Sequence, residues 1–440
     1  MQPASARDMP VRAVTAATIG TALEWFDFAL YGVVAATVFP KLFFPSLDPS
    51  SGLLASLATF GVGLAARPLG AVVCGYLGDK FGRRNLLLFT VSLMGMASVL
   101  MGVLPTYNRI GIGAPILLVV LRIVQGFALG GESTGAQLMA IEHASSDRRG
   151  KYSGLLGICS PISQILANGA MLLISSRLSP EDFESYGWRI PFLMSFILVL
   201  IGIYIRLRVE ETPAFVELRR SKVATVSSPL RDALKLHFRD VVRLMLFFCG
   251  PTALFYLVVV FSLSYLTGKL GIPKQTGFAL LMSANACAIV GALAGGMLSD
   301  RIGRKRALLI GSTATLILVF VLFPLLDTKS FLPMLAGMGL LLGFTQYQSG
   351  IQPVYFAEAF PTNVRYSGSA LAYTAANLLA GATLPALAVW LLRVFQGSPW
   401  SIAAIVAGWN LISLAMIAIG PETRDTELKR TDSALELSAA

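Results

Sequence analysis

Twelve times along this chain a run of about 20 mostly apolar residues gives way to a polar connector, and nothing else in the sequence limits its fold so severely. A helix of that length matches the hydrocarbon thickness of a bilayer. Inside hydrocarbon the backbone must satisfy its own N–H and C=O groups, and helices do so within one segment. The runs have approximate limits 13–39, 53–78, 86–104, 114–141, 152–176, 189–208, 242–268, 276–299, 306–325, 333–358, 366–392 and 400–420. The expected class is an all-α polytopic membrane protein with twelve transmembrane helices. Residues 209–241 are the one long connector, polar, highly charged and carrying Pro213 and Pro229. The expected organisation is an N-terminal segment 1–12, a six-helix bundle 13–208, a linker 209–241, a second six-helix bundle 242–420 and a tail 421–440.

Composition agrees. Hydrophobic residues make up 55% of the chain and charged residues 13%, against about 25% charged in soluble domains. The net charge of +11 is not a nucleic-acid signature: the basic residues sit in short loops between apolar runs, and no aromatic platform lines a basic groove. Of the 35 Lys and Arg, eight fall on one set of connectors and two, Arg67 and Arg122, inside runs; the other 25 lie on the set that includes both termini and the linker. That asymmetry places the termini and linker in the cytoplasm. The first ten residues lack a cleavable signal pattern. Cys74, Cys159, Cys249 and Cys287 are isolated and read as small core residues rather than metal ligands or disulfides. Trp188, Trp400 and Tyr107, near run ends, read as interfacial anchors. His143 and His237 fall in cytoplasmic connectors, away from any coupling site.

Two connectors repeat each other. Residues 75–84 read Gly-Tyr-Leu-Gly-Asp-Lys-Phe-Gly-Arg-Arg, and residues 296–306 read Gly-Met-Leu-Ser-Asp-Arg-Ile-Gly-Arg-Lys-Arg. In each, an acid (Asp79, Asp300) follows a glycine by four, a second glycine (Gly82, Gly303) follows the acid by three, and basic residues (Arg83, Arg84; Arg304) come next. A repeat about 220 residues apart in 440 implies two homologous, pseudo-symmetric halves. Glu142 with Arg149 echoes Glu358 with Arg365, and Glu211–Thr212–Pro213 echoes Pro421–Glu422–Thr423. These charges are expected to form ion pairs and caps that close the halves on the cytoplasmic side.

Charge inside a span is costly, so it faces a cavity and finds a partner. The first run carries Glu24, Asp27 and Tyr31, three and four residues apart and expected on one helical face. The second carries Arg67 and the fourth Arg122, Gln125 and Glu132. At about 1.5 Å per residue, Glu24, Asp27 and Arg67 lie within about 3 Å of the midplane, with Arg122 and Glu132 roughly 8 Å to either side. The second half has no equivalent charge. Its candidates are Tyr256, Gln348, Tyr373 and Asn377, with Gln164 and Asn168 on the fifth run; each either lines a cavity or bonds another helix. Gly130, Gly131 and Gly135 read as helix-packing positions. A carboxylate in a partly dry cavity beside a movable arginine is the minimum apparatus for proton coupling. Asp27 or Glu24 would bind the proton, Arg122 would sense it, and Arg67 would hold a substrate anion. A structural ion-pair cluster is the alternative.

These residues resemble the major facilitator superfamily and, within it, the metabolite:proton symporter family of proline/betaine, α-ketoglutarate, citrate and shikimate permeases. The segment Gly75–Arg84 is similar to the superfamily's loop after the second helix, and Arg122–Gly126 to its fourth-helix motif, whose arginine the family implicates in proton coupling. Glu24–Phe28, Tyr31–Gly32, Arg67–Gly70, Gly130–Glu132 and Gly187–Phe192 are similar to hallmarks of the narrower family. The resemblance implies two six-helix bundles rocking about a central cavity, with Asp79 pairing with a helix end of the other bundle in the outward-open state. Ser133 stands where shikimate-like members often carry Trp. The expected function is proton-coupled uptake of a small polar metabolite, an organic acid anion before a betaine- or proline-like zwitterion, by a monomer without cofactor or metal. From another class, a membrane receptor without transport fits less well. An enzyme fits least, since no nucleophile–base pair, metal spacing or phosphate loop is present.

Overall fold

The computed structural model describes residues 8–208, 229–426 and 428, apart from 82, 131–132, 143 and 363; the side chains of residues 8–21, 75–85, 133–136, 205–208 and 229–232 and of a few single positions also lie outside the description. All regular elements among the described residues are helical. The long helices are α1 (Asp8–Thr37), α2 (Pro49–Phe81), α3 (Arg83–Val103), α4 (Gly113–Gly130, followed by Ser133–Glu142), α5 (Ser146–Arg177) and α6 (Arg189–Arg208). The second half supplies α7 (Phe238–Lys269), α8 (Lys274–Ile302), α9 (Arg304–Asp327), α10 (Phe331–Ala359), α11 (Arg365–Val394) and α12 (Trp400–Ile419). Among the described residues, eight of the twelve are long and apolar enough by themselves to cross a membrane. Among the others is α10, whose middle carries Gln346, Gln348 and Gln352. The expected limits fall within a few residues of these bounds.

The halves pack alike. In the first, α2 lies on α4, α3 on α6 and α1 on α5; in the second, α8 lies on α10, α9 on α12 and α7 on α11. The halves meet by exchange of equivalent helices: α5 rests on α8, α11 on α2, and α1 on α7. Small residues permit the closest of these crossings, because membrane helices gain most where backbones approach. A Cβ at Gly126 would strike the carbonyl of Gly63, and one at Gly130 the carbonyl of Arg67; across α8 and α10, Gly291 faces the carbonyl of Gly343 and Gly295 that of Tyr347. Gly130 therefore packs helices as expected, while Gly131 and Gly135 lie outside the described side chains. Apolar side chains such as Leu69, Ile116, Val290 and Ile317 cover the outer surface.

Two expectations need correction. Trp188 is no interfacial anchor: it is fully buried against Phe39 and Phe192 at ring distances of 5.6 and 6.1 Å, and its indole N–H donates to the carbonyl of Glu184 at 3.2 Å. Arg189-Ile-Pro starts α6, and the ring is enclosed by Phe39 and Phe43, just after α1, and by Phe192 of α6. Of the four cysteines, Cys287 is exposed on α8 and not in the core; an apolar run alone does not say which face of its helix meets the protein.

Candidate functional site

The deepest charged group is built by four helices of the first half. Asp27 on α1, 2% exposed, accepts hydrogen bonds from the hydroxyls of Ser98 on α3 at 2.8 Å and Ser195 on α6. Ser98 Oγ in turn accepts from Gln125 Nε2 at 2.9 Å, and Gln125 Oε1 accepts from Arg122 Nη1, both on α4. Asp27 and Arg122 thus meet through two neutral side chains. The guanidinium carbon of Arg122 lies 4.0 Å from the ring centroid of Tyr31 and 4.7 Å from that of Phe28. Such ring faces attract a desolvated cation. Tyr31 is fixed from below by a 2.5 Å hydrogen bond to Thr59. Gly63 on α2 makes the room: a Cβ there would collide with the guanidinium. Arg122 Nε and Nη2 are buried without a hydrogen-bond partner, two donors that a negatively charged group could take.

A second group lies where the halves meet. Arg67, in the Arg-Pro step of α2, sits 4.7 Å from the ring of Phe28 and 5.9 Å from that of Trp25, and its Nε is buried without a partner. Trp25 packs edge-on against Phe255, and Phe28 against Tyr256, so α1 and α7 share one aromatic cluster. Tyr256 donates to Asn377 Oδ1 at 3.4 Å. Asn377 opens a π-helical turn, Asn377–Gly381, in α11, and Gly381 leaves the space that the Tyr256 ring fills. Wide turns of this kind recur at functional sites. Glu24 is buried, and Tyr373 lies within the electrostatic reach of both Glu24 and Arg67.

Both ends of the site are closed. On the face bearing the repeated loops, Asp300 accepts the backbone N–H groups of Gly150 and Lys151 at 2.8 Å each, at the start of α5 in the other half. A helix N-terminus favours a carboxylate there. Gly303, at φ 95°, turns the chain so that Arg304 points inward. Arg304 then grips Glu358 with two bonds of 3.2 Å and Asp300 with one of 2.7 Å. The echoed loop charges pair across the halves: Arg365 with Glu142 at 2.7 Å, and Arg149 with Glu358 at 3.9 Å. Residues 421–426 and 428 lie on the same face, where Glu422 caps α9 and the carbonyls of Thr426 and Leu428 accept from Arg149 and Arg365. On the opposite face Glu184 holds Lys41 at 2.8 Å and Lys274, from the second half, at 3.1 Å. Burial alone would raise the Glu184 carboxyl, but the two ammonium groups outweigh it and hold it below its ordinary range.

The expected residues thus divide. Arg67, Glu24, Tyr256, Tyr373 and Asn377 come together between the halves, and Asp27, Arg122, Tyr31 and Gln125 within the first. Glu24 and Asp27 do not share one face: Asp27 turns toward α3 and α6, while Glu24 lies within reach of Tyr373 on α11. Gln125 is spent on Arg122 and Ser98, so it orients other side chains. Gln348 is engaged inside its own half, accepting from Ser312 at 2.7 Å and donating to Thr315 at 3.3 Å, because α9 packs on that side of α10. Asn168 bonds back to the carbonyl of Gln164 at 2.8 Å, and both are buried. Glu132 and Gly82 lie outside the described residues, as do the side chains of Asp79, Arg83 and Arg84 and the surroundings of Gly75. Sequence reasoning missed Ser98, Ser195 and Thr59; serine and threonine are common in spans, and nothing in their spacing marks these three.

The sequence and the fold are shared with known proteins. The profile of the Major Facilitator Superfamily matches residues 17–382 and again 248–438. The chain belongs to the Major Facilitator Superfamily. It is similar to an inner membrane metabolite transport protein of Escherichia coli, YhjE, at 38% identity over 92% of this chain and 93% of that protein. It is also similar to the shikimate transporter of Escherichia coli, at 35% identity over 93% of each chain. The proline/betaine transporter of the same organism is 34% identical over 90% of this chain and 82% of its own length. Among solved structures, a proton:xylose symporter bound to 6-bromo-6-deoxy-D-glucose superposes with a TM-score of 0.76, at 19% identity, over 96% of this chain and 98% of that one. Major facilitator proteins are transporters and not enzymes, and this chain is a multi-pass membrane transporter with the twelve-helix fold of that superfamily.

Proposed function

We propose that this major facilitator protein is an inner-membrane symporter that uses the proton gradient to take up a small polar metabolite, an organic acid anion, by alternating access. The observation that carries the reading is a pair of buried arginines with unspent donors: Arg122 keeps two guanidinium nitrogens without partners and Arg67 keeps one. A buried cation with free donors is costly, and an incoming carboxylate relieves that cost with charge-assisted hydrogen bonds. Arg67 would hold the anion beside the aromatic cluster, Tyr256, Tyr373 and Asn377 would shape the rest of the pocket, and Gln164, Asn168 and Glu132 would serve its far side. Asp27, or Glu24 nearer the junction, would take the proton and Arg122 would respond to it. Two rigid bundles, 13–208 and 242–420 joined by 209–241, would rock about this site as a monomer. Asp79 with Gly75, Gly82, Arg83 and Arg84 would latch the first half as Asp300, Gly303 and Arg304 latch the second. Both termini would face the cytoplasm.

A zwitterion such as glycine betaine is the second reading, favoured by aromatic faces of Trp25 and Phe28 beside both an acid and an arginine, which suit an onium group with a carboxylate. Uptake of labelled carboxylates and betaines into energised vesicles, with and without a protonophore, for wild type and Asp27→Asn, decides among them. Gradient-dependent accumulation of a carboxylate that the variant loses is the expected result. Accumulation of a betaine instead selects the zwitterion. Accumulation indifferent to the protonophore overturns proton coupling, and tight binding without uptake would indicate a receptor.

A further inference from the structure

The link between Asp27 and Arg122 has a chemically fixed polarity. A guanidinium only donates, so the Gln125 atom facing Arg122 must be its carbonyl oxygen, and the amide group must then face Ser98. Ser98 accepts that N–H, which leaves its single proton for the Asp27 carboxylate. Every donor in the chain Arg122–Gln125–Ser98–Asp27 therefore points toward the anion, with a cation at one end and a carboxylate at the other. Aligned hydrogen bonds polarise one another in a dry interior, and Arg122, Gln125 and Ser98 are all fully buried. Protonating Asp27 removes the charge that orders the chain. A neutral carboxyl can donate to Ser98 and reverse that link, which weakens the hold of Gln125 on Arg122.

The second half supplies a comparison. On the equivalent helices, about two turns nearer the face of the repeated loops, Gln348 of α10 bonds Ser312 and Thr315 on α9, and Asn410 on α12 also donates to Thr315 at 3.0 Å. That network joins the counterparts of the three helices that carry Gln125, Ser98 and Ser195, with no charged side chain among its bonded residues. Neutral polar bonds are evidently sufficient to pack this corner of a bundle. The charged ends in the first half are an addition that packing does not require.

We propose that Ser98 is the positioning residue through which the protonation state of Asp27 is transmitted to Arg122; this rests on the reading of those two residues as the proton-coupling pair. The charged and titratable groups around Asp27 are few: Arg122 from α4, Tyr31 and Glu24 along α1, and, further off, Arg67 on α2, Tyr256 on α7 and Tyr373 on α11. Among the described residues of α3 and α6, those bonded to it are Ser98 and Ser195, through their hydroxyls. With Ser98 present, the states of Asp27 and Arg122 are coupled; without its hydroxyl they are separate buried groups.

The test needs no substrate. Infrared difference titration of the protein in proteoliposomes follows the protonated carboxyl stretch that disappears in Asp27→Asn. Arg122→Gln should move the midpoint of that band by about one pH unit, tenfold in proton affinity, the ordinary size of a coupling between two sites. In a Ser98→Ala background the same Arg122→Gln change should move it less than about twofold, and Ser98→Thr, which keeps a hydroxyl, should restore the full shift. Gln125→Leu, breaking the chain one link earlier with both charges kept, should behave as Ser98→Ala does and serves where the alanine variant does not fold. A full-sized Arg122→Gln shift in both backgrounds would mean that the charges act directly through space and would overturn the role of Ser98. A carboxyl band at Asp27 that does not titrate at all would instead remove the proton-coupling reading itself.

Discussion

At the scale of single residues the site depends on where a few atoms are left out. Gly63 is the clearest case, since the volume of its missing side chain is occupied by the Arg122 guanidinium. Gly63→Ala should push Arg122 off the rings of Tyr31 and Phe28 and away from Gln125. Displacing a positioned group by about 1 Å can cost up to roughly 100-fold in rate. Initial uptake should therefore drop by at least about tenfold while the protein still elutes from a sizing column in detergent at the wild-type volume. Loss of Thr59 is milder: Thr59→Val keeps the volume but strands the buried Tyr31 hydroxyl, a cost of about 1–3 kcal/mol. A lowered thermal unfolding midpoint checks this, and substitution of both partners (Tyr31→Phe with Thr59→Val) should recover much of the loss. The sequence pointed to Asp27, Arg122 and Arg67 because ionisable groups in hydrocarbon are rare. It gave no hint of Ser98 or Ser195, whose importance lies in which helix happens to face them.

Helices in this protein are positioned less by their own propensity than by the depth to which their backbones approach. The α2–α4 crossing brings the carbonyls of Gly63 and Arg67 against Gly126 and Gly130, which places Arg67 and Arg122 on adjacent helices at the same junction. Gly126→Val has no flexible neighbour to displace, only backbone. Overpacking of this kind costs about 1–3 kcal/mol or more, and here it should also separate the two arginines. The expected outcome is a protein of lowered thermal stability and lost uptake, measured by detergent-solubilised unfolding and vesicle assay. A wild-type unfolding midpoint would show that α2 and α4 are not held at this crossing. The matching α8–α10 crossing at Gly291 and Gly295 has the same architecture without the charges, so the repeat preserved the packing and not the chemistry.

On the scale of the whole molecule, closure at each face includes an ion-pair contact between halves. Glu358, its carboxylate fully buried, faces Arg149 of the other half at 3.9 Å and is held in place by Arg304 of its own half. Its loss leaves Arg149 without that carboxylate while Arg304 keeps Asp300, so the cost should lie below the about 3–5 kcal/mol of a buried charge left wholly unpaired. Glu358→Gln should open the face bearing the repeated loops, seen as lengthened spin-label distances between the start of α5 and the end of α8. At the opposite face the sign of any pH dependence follows from the lowered carboxyl of Glu184. A depressed carboxylate contributes its stabilisation above the usual glutamate range and loses it only as pH falls through its own lower value. The Glu184–Lys274 contact should thus persist unchanged from mildly acidic to mildly alkaline pH, and Glu184→Gln should release it at every pH in that interval. Distances between the Glu184 and Lys274 ends that lengthen on mild acidification in the wild type would contradict this.

The sequence by itself determined the number and approximate limits of the spans, the division into two related halves and the presence of charge near the centre of the first. Those follow from local demands, since a bilayer fixes helix length and penalises every buried charge wherever it stands. Which side chains meet was decided only by the tertiary structure. Glu24 and Asp27, three residues apart, turn to different neighbours; Gln348 is absorbed by α9; Trp188 is enclosed rather than interfacial; and the loop acids Glu142 and Glu358 pair with arginines of the other half, more than 200 residues away in sequence. Helical periodicity gives a side chain its face, but the helix opposite that face is chosen by packing over the whole fold, and a hydrogen-bond chain such as Arg122–Gln125–Ser98–Asp27 exists only once four helices have made that choice.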